Sequence, residues 1–205
     1  MTMIDFDFWD SVKGFMAKDE AERLYQLALE ASGRGPVLEI GSYCGKSAYI
    51  IGTACQQNGS VLYSIDHHSG SEEQQKGAEY FDPDLFDPLL QRVNTLPFFL
   101  QTLDRALLED TVVPIVAASQ IAGKCWATPV SMVFIDGGHS FDDAYSDFST
   151  WSPHLMADGF LVIHDIFFDP AQGGQAPRQV YEKAVQTGNY KELAMTHTLG
   201  VLQKK

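Results

Sequence analysis

Residues 36–47 read PVLEIGSYCGKS, and this stretch decides the fold. A short apolar run leads into two glycines, Gly41 and Gly45, and a helical pattern follows over residues 46–57. Residues 60–66 then form a second short apolar run that ends in an aspartate. A strand, a helix and a second strand in this order make a β-α-β unit, which is the building block of a parallel sheet.

The same alternation continues to the end of the chain. Apolar residues at helical spacing alternate with short apolar runs, and the run at 111–116 contains Pro114, which predicts a strand at a sheet edge. The sequence therefore predicts an α/β fold, a Rossmann-like doubly wound and mostly parallel sheet with helices on both faces. We expect helices at 19–32, 94–107, 141–152 and 176–186, and strands at 111–116, 130–136, 159–165 and twice within 190–203.

Two segments depart from this alternation inside what we expect to be one domain over residues 1–205. Residues 1–35 form an N-terminal helical segment, in which Asp19 and Glu22 resemble a capping box. Residues 67–93 contain glycines and two Asp-Pro pairs and show no sustained period. A long irregular segment after a strand is typical of a lid, so we predict a lid-like insertion there.

Composition narrows the class of function. The 14 basic and 27 acidic side chains give a net charge of −13, which disfavours nucleic acid as a partner. No apolar run is long enough to span a bilayer, and the acidic N-terminus does not resemble a signal peptide, so we expect a cytoplasmic protein without a membrane partner. Three cysteines without paired spacing indicate free thiols. An aromatic N-terminal segment leaves a homodimer open as one arrangement.

Polar side chains follow strand after strand at one end of the predicted sheet. In open α/β sheets, ligands bind beyond the carboxyl ends of the strands. Each predicted strand delivers polar groups to this rim, and the successive strand ends carry Glu39 and Gly41, Asp66 and His67, Ser119 and Gln120, Asp136 and His139, and His164 and Asp165.

The glycine turn resembles two nucleotide-binding motifs without matching either. A Walker A loop needs four residues between its first glycine and Gly-Lys-Ser, and Gly41 and Gly45 enclose three. A dinucleotide fingerprint needs G-x-G-x-x-G, which is absent. Asp66 ends the following strand, where a carboxylate can accept both hydroxyls of a ribose. Together the turn and Asp66 predict a ligand that contains a ribose.

These strand ends resemble those of class I S-adenosylmethionine-dependent methyltransferases. The resemblance covers residues 36–165 and includes IDGGH at 135–139 and GFLVIHD at 159–165, as in sugar and antibiotic O-methyltransferases. It implies a seven-stranded sheet in the order 3-2-1-4-5-7-6. It also implies S-adenosyl-L-methionine as cofactor and O-methylation of a small molecule. The implied cofactor-binding residues are Glu39, Gly41, Ser42, Tyr43, Gly45, Ser47, Asp66, His67, Ser119, Gln120 and Asp136.

The chemistry at the acceptor stays open between a metal and a base. The resemblance implies Asp136, His139 and Asp165 as catalytic residues, and the same three as ligands of a divalent metal ion. Metal-dependent relatives have a further Asp or Asn after the second carboxylate, where this chain has Ile166. His139 could instead act as a metal-free base. Side-chain alternation turns His164 away from Asp165, which makes it the less favoured histidine.

Two other functions remain compatible with the sequence. Histidine and aspartate at the ends of the fourth and fifth strands could form a metal centre for hydrolytic or oxygen chemistry on the same fold. The chain could also bind a cofactor without catalysis. The acidic positions of the helix over 141–152, which are Asp142, Asp143 and Asp147, we interpret as one solvated face.

Overall fold

The computed structural model describes residues 4–78, 80–138 and 140–205. Its centre is a seven-stranded sheet, whose strands we number along the chain. They are β1 (Val37–Ile40), β2 (Leu62–Asp66), β3 (Val112–Val116), β4 (Val130–Ile135), β5 (Leu155–Ile163), β6 (Tyr190–Glu192) and β7 (Gly200–Lys204).

The sheet has the order β3-β2-β1-β4-β5-β7-β6, as the resemblance implies. The first five strands are parallel, and β7 pairs antiparallel with both β5 and β6. Pro114 lies in β3 at one edge of the sheet, as its missing N–H predicts. A separate pair of two-residue strands, Phe86–Asp87 and Arg92–Val93, was not predicted and is left out of this numbering.

Helices cover both faces of the sheet, and strands β1 and β4 are therefore buried along their whole length. On one face lie α2 to α4, and on the other α5 to α7. The helices are α1 (Phe6–Ser11), α2 (Lys18–Ser32), α3 (Lys46–Gln57), α4 (Leu96–Ala106), α5 (Ser119–Gly123), α6 (Phe141–Trp151) and α7 (Ala176–Gln186). None of the helices in the described part of the chain is long and apolar enough to cross a bilayer.

The start of α2 differs from the prediction. Asp19 and Glu22 do not form the expected capping pair, because the helix begins at Lys18 and the side chain of Glu20 accepts the backbone N–H of Ala17 at 3.0 Å. Asp19 instead lies 2.9 Å from the exposed His197. Glu20 is thereby drawn into the protein, where it takes part in the site described below.

The N-terminal segment packs on the chain itself. Trp9 is buried in the main core, and the ammonium of Lys46 lies 4.1 Å from the centre of its ring. The same ammonium donates to the carbonyls of Trp9 and Val12 at the end of α1. Lys46 therefore fixes the end of α1, and the lysine of the Gly-Lys-Ser sequence packs against the N-terminal segment.

The insertion over residues 67–93 lies against the glycine turn. Leu85 and Val93 are buried together with Cys44 of the turn. Lys13 crosses from the N-terminal segment and lies 2.5 Å from Asp82 and 2.9 Å from Asp84 of the insertion. Short 3-10 helices at Glu72–Gln74 and Pro83–Leu85 and the two-stranded hairpin give this segment more regular structure than the sequence predicts.

Candidate active site

The glycine turn brings the ends of β1 and β4 into backbone contact. Gly41 has φ +87°, and a Cβ atom at this position would lie 2.0 Å from the carbonyl oxygen of Asp136. Gly45 has φ +92° and precedes the first residue of α3. Glycine is therefore required here for two reasons, the left-handed backbone and the close approach of Asp136.

Glu39 supports the turn from beneath. Its carboxylate is fully buried and accepts the hydroxyls of Ser47 and Ser64, and the hydroxyls of Ser64 and Ser42 are in contact in turn. Burial raises the pKa of Glu39 to about 7, although the two serine donors lower it. The predicted supporting role of Glu39 agrees with this geometry, whereas direct contact with a ligand would require its side chain to leave these partners.

Asp66 connects β2 to the glycine turn. One carboxylate oxygen accepts the backbone N–H groups of Ser42 and Tyr43, both at 2.9 Å. The other oxygen accepts the N–H of His68 at 2.7 Å. Each carboxylate oxygen has two lone pairs, so the partly exposed side chain keeps acceptor capacity for a ligand hydroxyl beside the turn.

The remaining predicted cofactor residues include Tyr43, His67, Ser119 and Gln120. Tyr43 (φ +46°) lies beside the insertion, and burial raises its pKa to about 12. His67 is exposed, and its Nδ1 accepts the N–H of Ser69, so it shapes its own loop. Ser119 at the start of α5 accepts the indole N–H of Trp151 at 2.7 Å, and Gln120 is exposed. Ser119 is thus turned toward α6.

Asp147 corrects the prediction of a solvated acidic face on α6. Asp142 and Asp143 are exposed as expected, but Asp147 is only 4% exposed. Burial raises its pKa to about 6, against the effect of a hydrogen bond with Ser119. One of its oxygens lies 2.9 Å from the place where Gly137 would carry a Cβ, so the loop after β4 rests on this side chain.

His164 corrects the prediction for the ends of β4 and β5. Its Nδ1 lies 3.2 Å from an oxygen of Asp136 and 3.4 Å from an oxygen of Asp165. Strand β5 ends at Ile163, and Asp165 has φ +59°, so strand alternation no longer governs where its side chain points. The histidine that the alternation argument disfavoured lies between the two predicted carboxylates. His139 lies outside the described residues.

A third carboxylate approaches His164 from α2. Glu20 Oε2 lies 3.1 Å from His164 Nε2, and Glu20 Oε1 accepts both the N–H and the hydroxyl of Thr198. Glu20 and His164 are 2% and 4% exposed, respectively. The carboxylates of Asp136 and Asp165 are more open, with side-chain exposures of 22% and 26%.

We call Glu20, Asp136, His164 and Asp165 the acid cluster. The ionisable groups of this cluster shift one another's pKa values. Burial alone would lower the pKa of His164, but the charge of Asp136 and hydrogen bonds with Asp136, Asp165 and Glu20 outweigh burial and raise this pKa well above its usual value. Burial alone would raise the pKa of Glu20, but His164 and the donors at Ala17 and Thr198 bring it to about 2. A positive group between these carboxylates is therefore stabilised.

The acid cluster fits a divalent cation. One atom each from Asp136, His164 and Asp165 lies within 4.8 Å of the other two. His164 Nδ1 is buried and faces carboxylate oxygens of Asp136 and Asp165 at 3.2 and 3.4 Å. Two carboxylate oxygens and one imidazole nitrogen suit a divalent transition metal ion.

Sequence reasoning missed two residues of this site. Ser64 lies in the middle of β2 and showed no polar pattern, yet it joins Glu39 to the turn. Glu20 lies on the first turn of α2, where the sequence predicted only a cap. The sequence did contain a signal for Glu20, because this residue lies in the apolar stripe of α2, next to Ala21 and Leu24.

Comparison with known proteins identifies the family and finds the same fold in solved structures. A family model described as a methyltransferase domain matches residues 38–166, which is more than half of the chain. The structure is similar to the S-adenosylhomocysteine-bound methyltransferase PaMTH1 of Podospora anserina, with a TM-score of 0.70 and 12% identity over 99% of this chain and 89% of that chain.

Two further solved structures share the fold at low identity. The O-methyltransferase of Bacillus cereus in complex with S-adenosylhomocysteine has a TM-score of 0.64 and 13% identity over 96% of this chain and 86% of that chain. TomG of Streptomyces achromogenes, an O-methyltransferase involved in tomaymycin synthesis, has a TM-score of 0.60 and 15% identity in complex with S-adenosylmethionine, over 92% of this chain and 79% of that chain.

A doubly wound sheet with a glycine turn, a strand-end aspartate and acidic residues on one rim is the arrangement in which open α/β sheets bind ligands. The chain belongs to the methyltransferase-domain family, and its fold is that of solved S-adenosylhomocysteine-bound methyltransferases. The predictions of fold class and of a methyltransferase family are thereby confirmed.

Proposed function

We propose that this protein transfers the methyl group of S-adenosylmethionine to an oxygen atom of a small molecule at the junction of the glycine turn and the acid cluster. The observation that carries this proposal is the contact between Gly41 and the Asp136 carbonyl, which joins the two halves of the rim. A cofactor lying over the turn then presents its methyl group beside Asp136 and Asp165. That O-methyltransferases share this fold supports an oxygen acceptor.

The glycine turn and Asp66 would bind the cofactor. Backbone groups between Gly41 and Gly45 can approach the methionine part closely, since neither glycine has a side chain. Asp66 would accept the ribose hydroxyls through its remaining lone pairs, while its bonds to Ser42 and Tyr43 keep the turn in place. Glu39 and Ser47 act indirectly, because they stabilise the turn from below.

The acid cluster would prepare the acceptor. A hydroxyl oxygen forms a bond to the methyl carbon while the carbon–sulfur bond breaks, and the hydroxyl proton passes to a carboxylate of Asp136 or Asp165. Positioning supplies much of the acceleration in such a displacement, and a carboxylate within hydrogen-bond reach supplies the base. A divalent cation held by Asp136, His164 and Asp165 would polarise the acceptor oxygen as a Lewis acid.

The insertion over residues 67–93 would act as a lid over this junction. Its contacts with Cys44 and with Lys13 bring it next to the glycine turn. The aromatic rings of Phe15 and Tyr80 lie 5.6 Å apart, and Phe15 is also 6.0 Å from Tyr43. Flat aromatic surfaces beside the methyl donor favour an acceptor with an apolar or aromatic body.

Calorimetric titration with S-adenosylhomocysteine tests the proposal. We expect the wild-type chain to bind it and Asp66→Ala to weaken binding by about 30-fold, since the ribose loses a charged acceptor. Asp142→Asn, on the exposed face of α6, is the matched control and should bind normally. Transfer of a labelled methyl group to a panel of phenols, catechols and sugars then identifies the acceptor class. A wild-type chain that binds no S-adenosylhomocysteine would refute the proposal.

A further inference from the structure

Asp147 is a buried carboxylate that the proposed function does not use. It lies on α6 and is 4% exposed, whereas Asp142 and Asp143 of the same helix are exposed. Burying a carboxylate costs free energy unless fixed partners stabilise it. The partners of Asp147 therefore indicate what this side chain supports.

The first partner of Asp147 is Ser119, at the start of α5. The Ser119 hydroxyl accepts the indole N–H of Trp151 at 2.7 Å, so it keeps its own O–H to donate, and it hydrogen-bonds with Asp147. Trp151 lies one turn after Asp147 on α6 and is fully buried. Two side chains on one face of α6 therefore hold the start of α5.

The far end of α5 rests on α6 as well. A Cβ atom at Gly123 would lie 2.2 Å from Cγ2 of Thr150, so α5 approaches α6 as closely as a glycine permits. The ring of Trp126, which follows α5, lies 5.1 Å from the ring of Trp151. The position of α5 is therefore set by α6.

The second partner of Asp147 is the loop after β4, which carries Asp136. Asp147 Oδ2 lies 2.9 Å from the place that a Cβ atom of Gly137 would occupy. Gly137 follows Asp136, whose carbonyl meets the glycine turn at Gly41. A displacement of the Asp147 side chain would therefore displace the loop that presents the Asp136 carboxylate.

The position of α5 matters for a nucleoside because β3 ends beside Asp66. The backbone N–H of Ala117 donates to the carbonyl of Asp66 at 3.1 Å, and α5 begins two residues later. In the cofactor, the methionine part and the base leave the ribose at opposite ends. With the methionine part over the glycine turn and the ribose at Asp66, the base lies on the β3 side, next to α5.

We propose that Asp147 is a positioning residue that fixes two parts of the site at once, α5 beside the base of the cofactor and the loop that carries Asp136. This inference rests on the proposed function, in which Asp66 binds the ribose and Asp136 lies beside the acceptor. Asp147 touches neither ligand and acts through Ser119 and Gly137.

Two probes separate the base from the rest of the cofactor. S-adenosylhomocysteine carries the base, and S-ribosylhomocysteine is the same molecule without it. Asp147→Ala removes the acceptor of Ser119, so we expect S-adenosylhomocysteine affinity to fall about tenfold and S-ribosylhomocysteine affinity to stay at the wild-type level. Calorimetry at pH 8, where a carboxyl group with a pKa of about 6 is ionised, measures both. Asp142→Asn, exposed on the same helix, should bind both probes as the wild type does.

Kinetics and a conservative variant separate positioning from general damage. In Asp147→Ala, kcat should also fall about tenfold, because the loop that carries Asp136 loses its support. Asp147→Asn keeps the volume and one acceptor oxygen and should recover most of both losses. Should Asp147→Ala fail to fold, Ser119→Ala should reproduce the loss of base-dependent affinity. Gly137→Ala, whose Cβ would meet Asp147, should reproduce the loss of kcat.

The outcomes distinguish this inference from the proposed function. A folded Asp147→Ala with wild-type S-adenosylhomocysteine affinity and wild-type kcat overturns the inference and leaves the function standing. Equal losses of affinity for both probes would be general damage and would overturn it as well. Loss of only the affinity or only kcat overturns the role of Asp147 at the other part of the site.

Hydrogen exchange of the full chain without cofactor tests the contacts of Asp147 independently of the proposed function. In Asp147→Ala, exchange should be several-fold faster in residues 117–124 and 136–138 and unchanged in the insertion over residues 67–93. Unchanged exchange in the first two segments overturns the inference. A wild-type chain that binds no S-adenosylhomocysteine, together with faster exchange in both segments of Asp147→Ala, refutes the function and supports the positioning by Asp147.

Discussion

The two halves of the rim use carboxylates in opposite ways. On the β1–β2 side, Glu39 and Asp66 accept neutral donors, which are serine hydroxyls and backbone N–H groups. On the β4–β5 side, three carboxylates surround one imidazole. The carboxylates of the first half accept donors of the protein itself and thereby shape the turn. The second places the buried imidazole of His164 between Asp136 and Asp165, whose side chains are partly exposed, and it is the half to which we assign the chemistry in our proposal.

Removing a carboxylate from the acid cluster should give the largest effect on activity. Asp165→Asn keeps the shape of the side chain and removes the charge, so we expect methyl transfer to fall by about 10²- to 10⁴-fold. Cofactor affinity should change little, because Asp165 lies away from the glycine turn. Steady-state kinetics and calorimetry measure the two effects. An equal loss in both measurements would show that the halves of the rim are not separable as we describe them.

Neutralising Glu39 should change how stability depends on pH. Its folded pKa of about 7 is above the ordinary glutamate pKa of 4.5, so ionisation disfavours the folded chain. This contribution to stability is complete below pH 4.5 and is lost as pH rises through 7, which amounts to about 3 kcal/mol. Glu39→Gln lacks the titration, and we expect its stability relative to the wild type to improve steadily from pH 5 to pH 8.

Urea unfolding at several pH values measures this difference for Glu39→Gln. Asp142→Asn serves as the control, since an exposed carboxylate should give a curve parallel to the wild type. Parallel curves for Glu39→Gln as well would mean that Glu39 titrates as an ordinary carboxyl group and that the turn does not depend on its burial.

A conservative change at Asp66 should have a smaller effect than its removal. Asn at this position keeps one acceptor oxygen but directs an amide N–H₂ toward backbone donors on one side. We expect S-adenosylhomocysteine affinity to fall about tenfold and stability to fall by about 1–2 kcal/mol. Calorimetry and thermal unfolding measure these quantities. Affinity at the wild-type level in a folded Asp66→Asn would remove Asp66 from the proposed ribose site.

The smallest effect is expected where the N-terminal segment meets the insertion. Lys13 lies within 2.9 Å of Asp82 and Asp84, but all three side chains are partly exposed, so the pairing contributes at most about 1 kcal/mol. Lys13→Met should raise hydrogen exchange in the insertion a few-fold. High salt should also raise hydrogen exchange in the wild-type insertion, because salt screens the ion pair. In Lys13→Met, high salt should cause no further increase. A further increase in Lys13→Met would show that the salt effect comes from other charges.

Much of the fold could be predicted because its signals are local. Strands β1 and β4 are short, mostly apolar runs, α6 repeats apolar residues at helical spacing, and Pro114 marks an edge strand. The glycine turn and Asp66 could be located for the same reason, since both are defined by position at a strand end. Errors occurred where local rules stop, at the start of α2 and just beyond β5.

The sequence by itself determined which polar residues follow each strand. It also determined that a glycine, Gly41, stands where the backbone of Asp136 approaches closely. Only the tertiary structure decided that His164 lies between Asp136 and Asp165, since the left-handed backbone of Asp165 follows from no periodicity. It also decided the partner of His164, because Glu20 is separated from it by 144 positions. Contacts over such distances depend on how α2 packs across the sheet, and no short pattern in the chain encodes that packing.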